Sequence, residues 1–116
     1  MAKTEVELLQ GTLDLLILKT LSLGSRHGAS VVRWLEHVTE GALVVEEGSL
    51  YPALHRLEDK QWVTSEWGVS ENNRRVRFYA LTEQGREQLL LQMEDLRRLM
   101  RLVTRVLAQS TSSPRR

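Results

Sequence analysis

The 116-residue chain has no cysteine, which excludes a disulfide framework and any thiolate metal site. No apolar run approaches the roughly 20 residues needed to cross a bilayer. The longest candidate, Leu13 to Leu23, is interrupted by Asp14, Lys19 and Thr20. The N-terminus carries acids and lacks the basic start and small-residue cleavage site of a signal peptide, which leaves the cytoplasm as the default address and no membrane partner. Catalytic signatures are missing too. There is no glycine-rich phosphate loop, no nucleophile elbow and no histidine beside a plausible nucleophile, so no enzyme and no cofactor are expected. The three histidines, His27, His37 and His55, stand ten and eighteen residues apart, a spacing that matches no short metal-ligand pattern.

What is present is an ordinary globular composition, 41% hydrophobic and 27% charged. The net charge of +1 divides unevenly. Residues 1–60 hold six Lys/Arg against nine Asp/Glu, and residues 61–116 hold ten against six, so the basic surplus lies in the second half.

Hydrophobic periodicity predicts a first helix from about Gln10 to Leu23, stopped at Gly24, with Asp14 suited to the first turn and Leu8, Leu9 and Leu15 widening its apolar face. After a connector, Ser25 to Gly28, a second helix covers about Ala29 to Val38, with Val31, Val32, Leu35 and Val38 inward and Trp34 at the edge of the stripe. Val44 and Val45 read as extended. Glu46 to Lys60 reads as a third helix with Leu50, Leu54 and Leu57 inward, and Pro52 requires that it start only a few residues earlier.

The period then changes from 3.6 to 2. Trp62–Trp67 and Val76–Leu81 read as two strands joined by a polar tip, Gly68 to Arg75, with Trp62 and Trp67 as packing residues. Thr82 is the N-cap of a last helix that nothing interrupts before Gln109. Along it Leu89, Met93, Leu96, Met100, Val103 and Leu107 are spaced 4, 3, 4, 3, 4, a heptad seam. A helix of roughly 40 Å exceeds what so small a domain can cover, so the seam calls for another chain. The tail, residues 110–116, reads as disordered.

The fold class that follows is α+β, mostly α: a winged helix-turn-helix over residues 1–81 with a long C-terminal dimerisation helix over 82–109. In that arrangement the third helix enters the major groove and the hairpin tip lies on flanking backbone. Gly48 and Ser49 are small enough to let the helix approach phosphates; Tyr51, His55 and Arg56 give it a polar face; Arg74, Arg75 and Arg77 supply the wing with cations. Glu46 and Glu47 argue mildly the other way and keep open an alternative, a dimeric winged helix that meets a protein rather than DNA.

The strings LLQGTLDLLILKTLSLG (8–24), HG (27–28), EEGSLYPALHRLE (46–58) and SEWGVSENNRRVRFYALTEQGREQL (65–89) resemble the PadR family of bacterial transcriptional regulators, and more narrowly its smaller members with a single short C-terminal helix. The resemblance implies a homodimer that represses promoters at inverted repeats of double-stranded DNA, its own promoter among them. By position it implies DNA contacts from Gly48, Ser49, Tyr51, Pro52, His55, Asn73, Arg74 and Arg75, and dimer contacts from Leu89, Met93, Leu96, Met100 and Val103. It also implies room for a small-molecule effector, which nothing in the sequence names. The chain departs from the family pattern at Ala29, where an aromatic is usual, and at Gln61, where glycine is common. Its C-terminal helix lacks the Trp that drug-binding relatives use to stack flat ligands.

Overall fold

A computed structural model of the chain describes residues 10–111. Leu8 and Leu9, the acidic N-terminus and residues 112–116 of the tail lie outside the described residues. The element order is α1 (Gln10–Ser22), β1 (Arg26–His27), α2 (Gly28–Val38), α3 (Glu47–Asp59), β2 (Val63–Val69), β3 (Arg75–Leu81) and α4 (Glu83–Leu107).

α1 sits at the centre because it is apolar nearly all round. Ile17, Leu18 and Leu21 are buried, and the helix packs against α2, α3, β3 and α4. Buried Thr20 satisfies its hydroxyl by donating to the Leu16 carbonyl at 2.8 Å. Asp14 is not a first-turn acid, as the sequence suggested. The helix begins at Gln10, and Asp14 is a buried residue that accepts a hydrogen bond from Arg56 Nη2 of α3 at 2.8 Å. Arg56 is thereby withdrawn from the outer face of the third helix, and its Nε is buried without a partner among the described residues.

The connector expected at Ser25–Gly28 contains a short strand. Arg26 pairs with Tyr79 and His27 with Phe78, so the sheet has three antiparallel strands in the order β1-β3-β2 rather than two. Two residues are too few for a period-2 pattern to register. The hairpin strands also run further than expected: Gly68, Val69 and Arg75 are paired, and the tip shrinks to residues 70–74. Ser70 ties that tip. Its amide donates to the Arg74 carbonyl at 2.8 Å, its hydroxyl accepts from the amides of Asn72 and Arg74, and Asn73 takes a left-handed φ of 62°.

α2 and α3 end in the same way. After α3 the amides of Gln61 and Trp62 bond back to Glu58 and Leu57, with Gln61 at φ 65°; after α2 those of Glu40 and Gly41 bond back to His37 and Glu36, with Glu40 at φ 54°. Both are Schellman caps with a non-glycine residue in the left-handed position. The α2 cap leaves Val38 at its last position 53% exposed, not inward. In α3, Leu50, Ala53, Leu54 and Leu57 are buried, and Pro52 lies in the sixth position, where the helix forgoes only the bond to the Gly48 carbonyl.

Thr82 caps α4 as expected, accepting from the Gly85 amide at 3.0 Å while donating to the Gln61 carbonyl at 2.7 Å. Gly85 is obligatory, since a Cβ there would run into the Trp62 carbonyl oxygen. The heptad seam divides. Leu89 is buried in the chain's own core, and Met93 and Leu96 pack partly against it. Met100, Val103 and Leu107 are exposed, as are Leu90, Leu91, Leu99, Leu102 and Val106. No helix among the described residues is long and apolar enough to cross a membrane.

Candidate nucleic-acid interface

With one face of α3 committed to the core, the other presents Gly48, Ser49, Tyr51, Pro52 and His55, all exposed. Gly48 is not a packing glycine: a Cβ built on it meets nothing within 4 Å, and its φ is not in the left-handed range. Nothing among the described residues therefore asks for the smallest residue there. Gly28, at the start of α2, is the reverse case. A Cβ on it would lie 2.5 Å from the Tyr51 phenol oxygen, so the ring of Tyr51 lies across the Cα of Gly28. Tyr51 thus packs against the second helix and remains 39% exposed. Partial burial, then the Glu47 carboxylate, raise its phenol above the ordinary value and keep it neutral. Tyr79 beneath the wing is pushed the same way by burial, then by Glu58, and by Tyr51 in turn, against an opposing pull from Arg77.

Asn73, Arg74 and Arg75 are exposed on the wing. Arg75 and Arg77 hold their guanidinium groups 4.4 and 5.0 Å from the ring of Trp67, which is 54% exposed. Trp67 is a platform for two cations, not the packing residue expected from the strand pattern. Trp34 and Trp62, by contrast, are partly buried against the core, with Arg26 and Lys60 over their rings. A relay fixes the wing to α3: Arg77 Nε donates to the Ser65 hydroxyl at 3.2 Å, and that hydroxyl donates to Glu58 Oε2 at 2.6 Å.

The tip is anchored separately. Glu71 accepts from Arg33 Nη2 of α2 at 2.9 Å, and its other oxygen stands 3.5 Å from Nε2 of buried His27, whose ring meets Phe78 edge-on at 5.4 Å. A backbone N–H of its own residue, then His27, hold the Glu71 carboxyl below the usual carboxylate value. The sequence reading gave no site role to Gly28, Arg33, Glu71 or Tyr79, and it took Trp67 only as packing. Only the HG pair and the RRVR run carried any signal for this region. Among the described residues no group of three or more His, Asp or Glu could hold a metal.

A model of the transcriptional regulator PadR-like family matches residues 17–90, well over half of the chain. The chain belongs to the PadR family of transcriptional regulators. Over 79 residues, 68% of this chain, it is 33% identical to the transcriptional regulator YqjI of Escherichia coli, of which the match covers 36%. The chain thus spans about a third of that relative's length. Among solved structures, this PadR-family regulator is similar to a transcriptional regulator from Clostridium thermocellum, with a TM-score of 0.76, 25% identity, and 83% of this chain and 93% of that one covered. It is also similar to a PadR family transcription regulator from Clostridium difficile, with a TM-score of 0.71, 26% identity, and 84% and 100% covered. The family is one of transcriptional regulators.

Proposed function

We propose that the protein is a cytoplasmic repressor that binds an inverted-repeat operator in double-stranded DNA as a homodimer. Residues 1–81 form the DNA-binding unit and residues 82–109 the dimerisation helix. The observation that carries this reading is the exposed face of α3, Gly48, Ser49, Tyr51, Pro52 and His55, which meets the wing at a cleft that Tyr51 and Arg74 both line. A face left polar and small beside guanidinium groups suits a phosphate backbone and base edges.

In this reading two α3 helices enter successive major grooves about 34 Å apart. Asn73, Arg74 and Arg75 lie on flanking phosphates and release counterions, so affinity falls steeply with salt. The exposed end of the α4 seam, Met100, Val103 and Leu107, pairs with the second copy, while Leu89 serves the chain's own core. An effector, where one acts, would favour one of two dimer geometries and so change the angle between wings.

Fluorescence anisotropy on DNA from upstream of the protein's own gene, with random duplex as competitor at two salt concentrations, tests the proposal. Competitor-resistant binding by one dimer is expected. Failure to bind either duplex at low salt overturns the DNA reading and turns attention to a protein partner for the same face.

A further inference from the structure

The far half of α4 carries a row of cations besides its apolar side chains. Arg97, Arg98, Arg101 and Arg105 are all exposed, and no acid occurs between Arg97 and the last described residue, Thr111. Arg98 stands 3.7 Å from the Asp95 carboxylate, in a pair whose side chains are 67% and 73% exposed. The guanidinium groups of Arg97, Arg101 and Arg105 have no partner among the described residues. Spacings of four place these three on one ridge about 12 Å long. Leu89, Met93 and Leu96 turn another side of the helix to the chain's own core, so the ridge points outward.

Helix stability does not account for this ridge. The macrodipole favours cations only in the last turn, where Arg105 stands, and like charges four residues apart repel one another. Every cation of α4 is an arginine, whose fork matches a carboxylate through two parallel hydrogen bonds. Two acids limit what can lie there. Glu87 and Glu94 continue the same face on the nearer half of the helix, and neither pairs with an arginine. A duplex or an anionic bilayer, negative along its whole length, would meet these carboxylates as well as the ridge. A short acidic segment can take the ridge and stop before them.

We propose that the ridge Arg97–Arg101–Arg105, with Arg98 beside it, docks an acidic helical segment of a partner protein. A helix with carboxylates four residues apart repeats them every 6 Å or about that, the same rise as the ridge. The dimer proposed above covers the apolar seam and leaves this face to solvent, and the ridge requires no DNA binding.

The test uses the full chain and a fluorescein-labelled, alanine-based peptide with three glutamates spaced four apart. A peptide of the same composition with its glutamates adjacent is the control. Saturable binding of the spaced peptide at low salt is expected, weaker for the control and weakened by added salt. Arg97→Ala, Arg101→Ala and Arg105→Ala combined should lower that affinity roughly fivefold or more. The helix is kept, since alanine is the best helix former. Arg74→Ala with Arg75→Ala, on the wing, should leave peptide binding unchanged. Dimerisation and duplex affinity of the triple variant should match wild type.

Failure of the spaced peptide to bind, equal binding of both peptides, or a triple variant that binds as tightly as wild type overturns the proposal. A triple variant that becomes monomeric moves the ridge into the contact between copies. One that loses duplex affinity assigns it to nucleic acid, and one that loses binding to phosphatidylserine vesicles assigns it to a lipid surface. Each of these three outcomes removes the acidic partner. Wild type that binds the spaced peptide but no duplex removes the DNA reading and leaves this one standing.

Discussion

The Tyr51 ring lies across the Cα of Gly28, so the start of the second helix and the outer face of the third are set by one contact. Gly28→Ala would place a methyl carbon 2.5 Å from the phenol oxygen, and either Tyr51 or the α2 backbone must move. Overpacking of this kind costs about 1–3 kcal/mol. Urea denaturation of Gly28→Ala should show that loss, and Tyr51→Ala in the same chain should recover most of it, a coupling expected of residues in direct contact. Equal losses with and without Tyr51 would show that the glycine serves another purpose.

Gly48 predicts the opposite pattern. A methyl there meets nothing among the described residues, and alanine is favoured over glycine inside a helix by about 1 kcal/mol. Gly48→Ala should therefore raise the midpoint of unfolding and, in the proposed DNA complex, weaken duplex binding, because the added carbon would stand where that proposal brings the backbone close to a phosphate. A variant that is more stable and binds duplex as tightly as wild type would remove close backbone approach from the mechanism.

Most of the fold was legible in the sequence because its helices are amphipathic at the expected period and its hairpin alternates. Thr82 as N-cap, Leu50, Leu54 and Leu57 as the inner face of α3 and the break at Gly24 all follow from local chemistry. What stayed hidden depends on pairs distant in sequence. Asp14 looked like a helix-start acid until Arg56 was placed beside it, and Trp67 looked like packing until two arginines were placed on its ring. The division of the α4 seam was equally invisible, since a heptad pattern does not say whether Leu89 meets its own core or another chain.

Gln61 occupies a backbone position that glycine would fill more easily. The third helix still ends in a Schellman cap, with a glutamine held at φ 65° where glycine would rest without strain. The left-handed conformation costs an L-residue roughly 1–2 kcal/mol. Gln61→Gly should stabilise the protein by about 1 kcal/mol, reduced by the greater freedom of glycine in the unfolded chain. The measurement is the urea midpoint at constant slope. A destabilised variant would mean that the Gln61 side chain contributes more than its backbone strain costs.

The wing tip should respond to acid. Glu71 has a carboxyl pKa lowered in the folded state, so its contribution is fully present above the unfolded carboxylate value and is lost as pH falls through the lowered folded one. Its partners Arg33 and His27 belong to α2 and its N-cap, so protonation releases the tip from that helix. The protection of the Asn72 and Asn73 amides, taken relative to the intrinsic exchange rate at each pH, should fall below the carboxylate range, and Glu71→Gln should show the lower protection already at neutral pH. Protection in the variant that matches wild type would show that Ser70 alone holds the tip.

The far end of α4 gives the last prediction. Met100 and Val103 are 57% and 44% exposed, beside Leu99 and Leu102, on a helix whose nearer half is already packed against its own domain. Exposed apolar side chains grouped on one end of a helix suit an interaction surface, and the proposed dimer would use this one. Met100→Glu with Val103→Glu should leave the circular dichroism of the folded domain nearly unchanged, because neither residue belongs to the core. It should convert a dimer into a monomer by light scattering, since two carboxylates per chain would face their copies across the seam. Operator affinity should fall with it by at least tenfold, since each half-site would then be bound alone and the effective concentration that links the two is lost. A double variant that remains dimeric would move the interface off this seam.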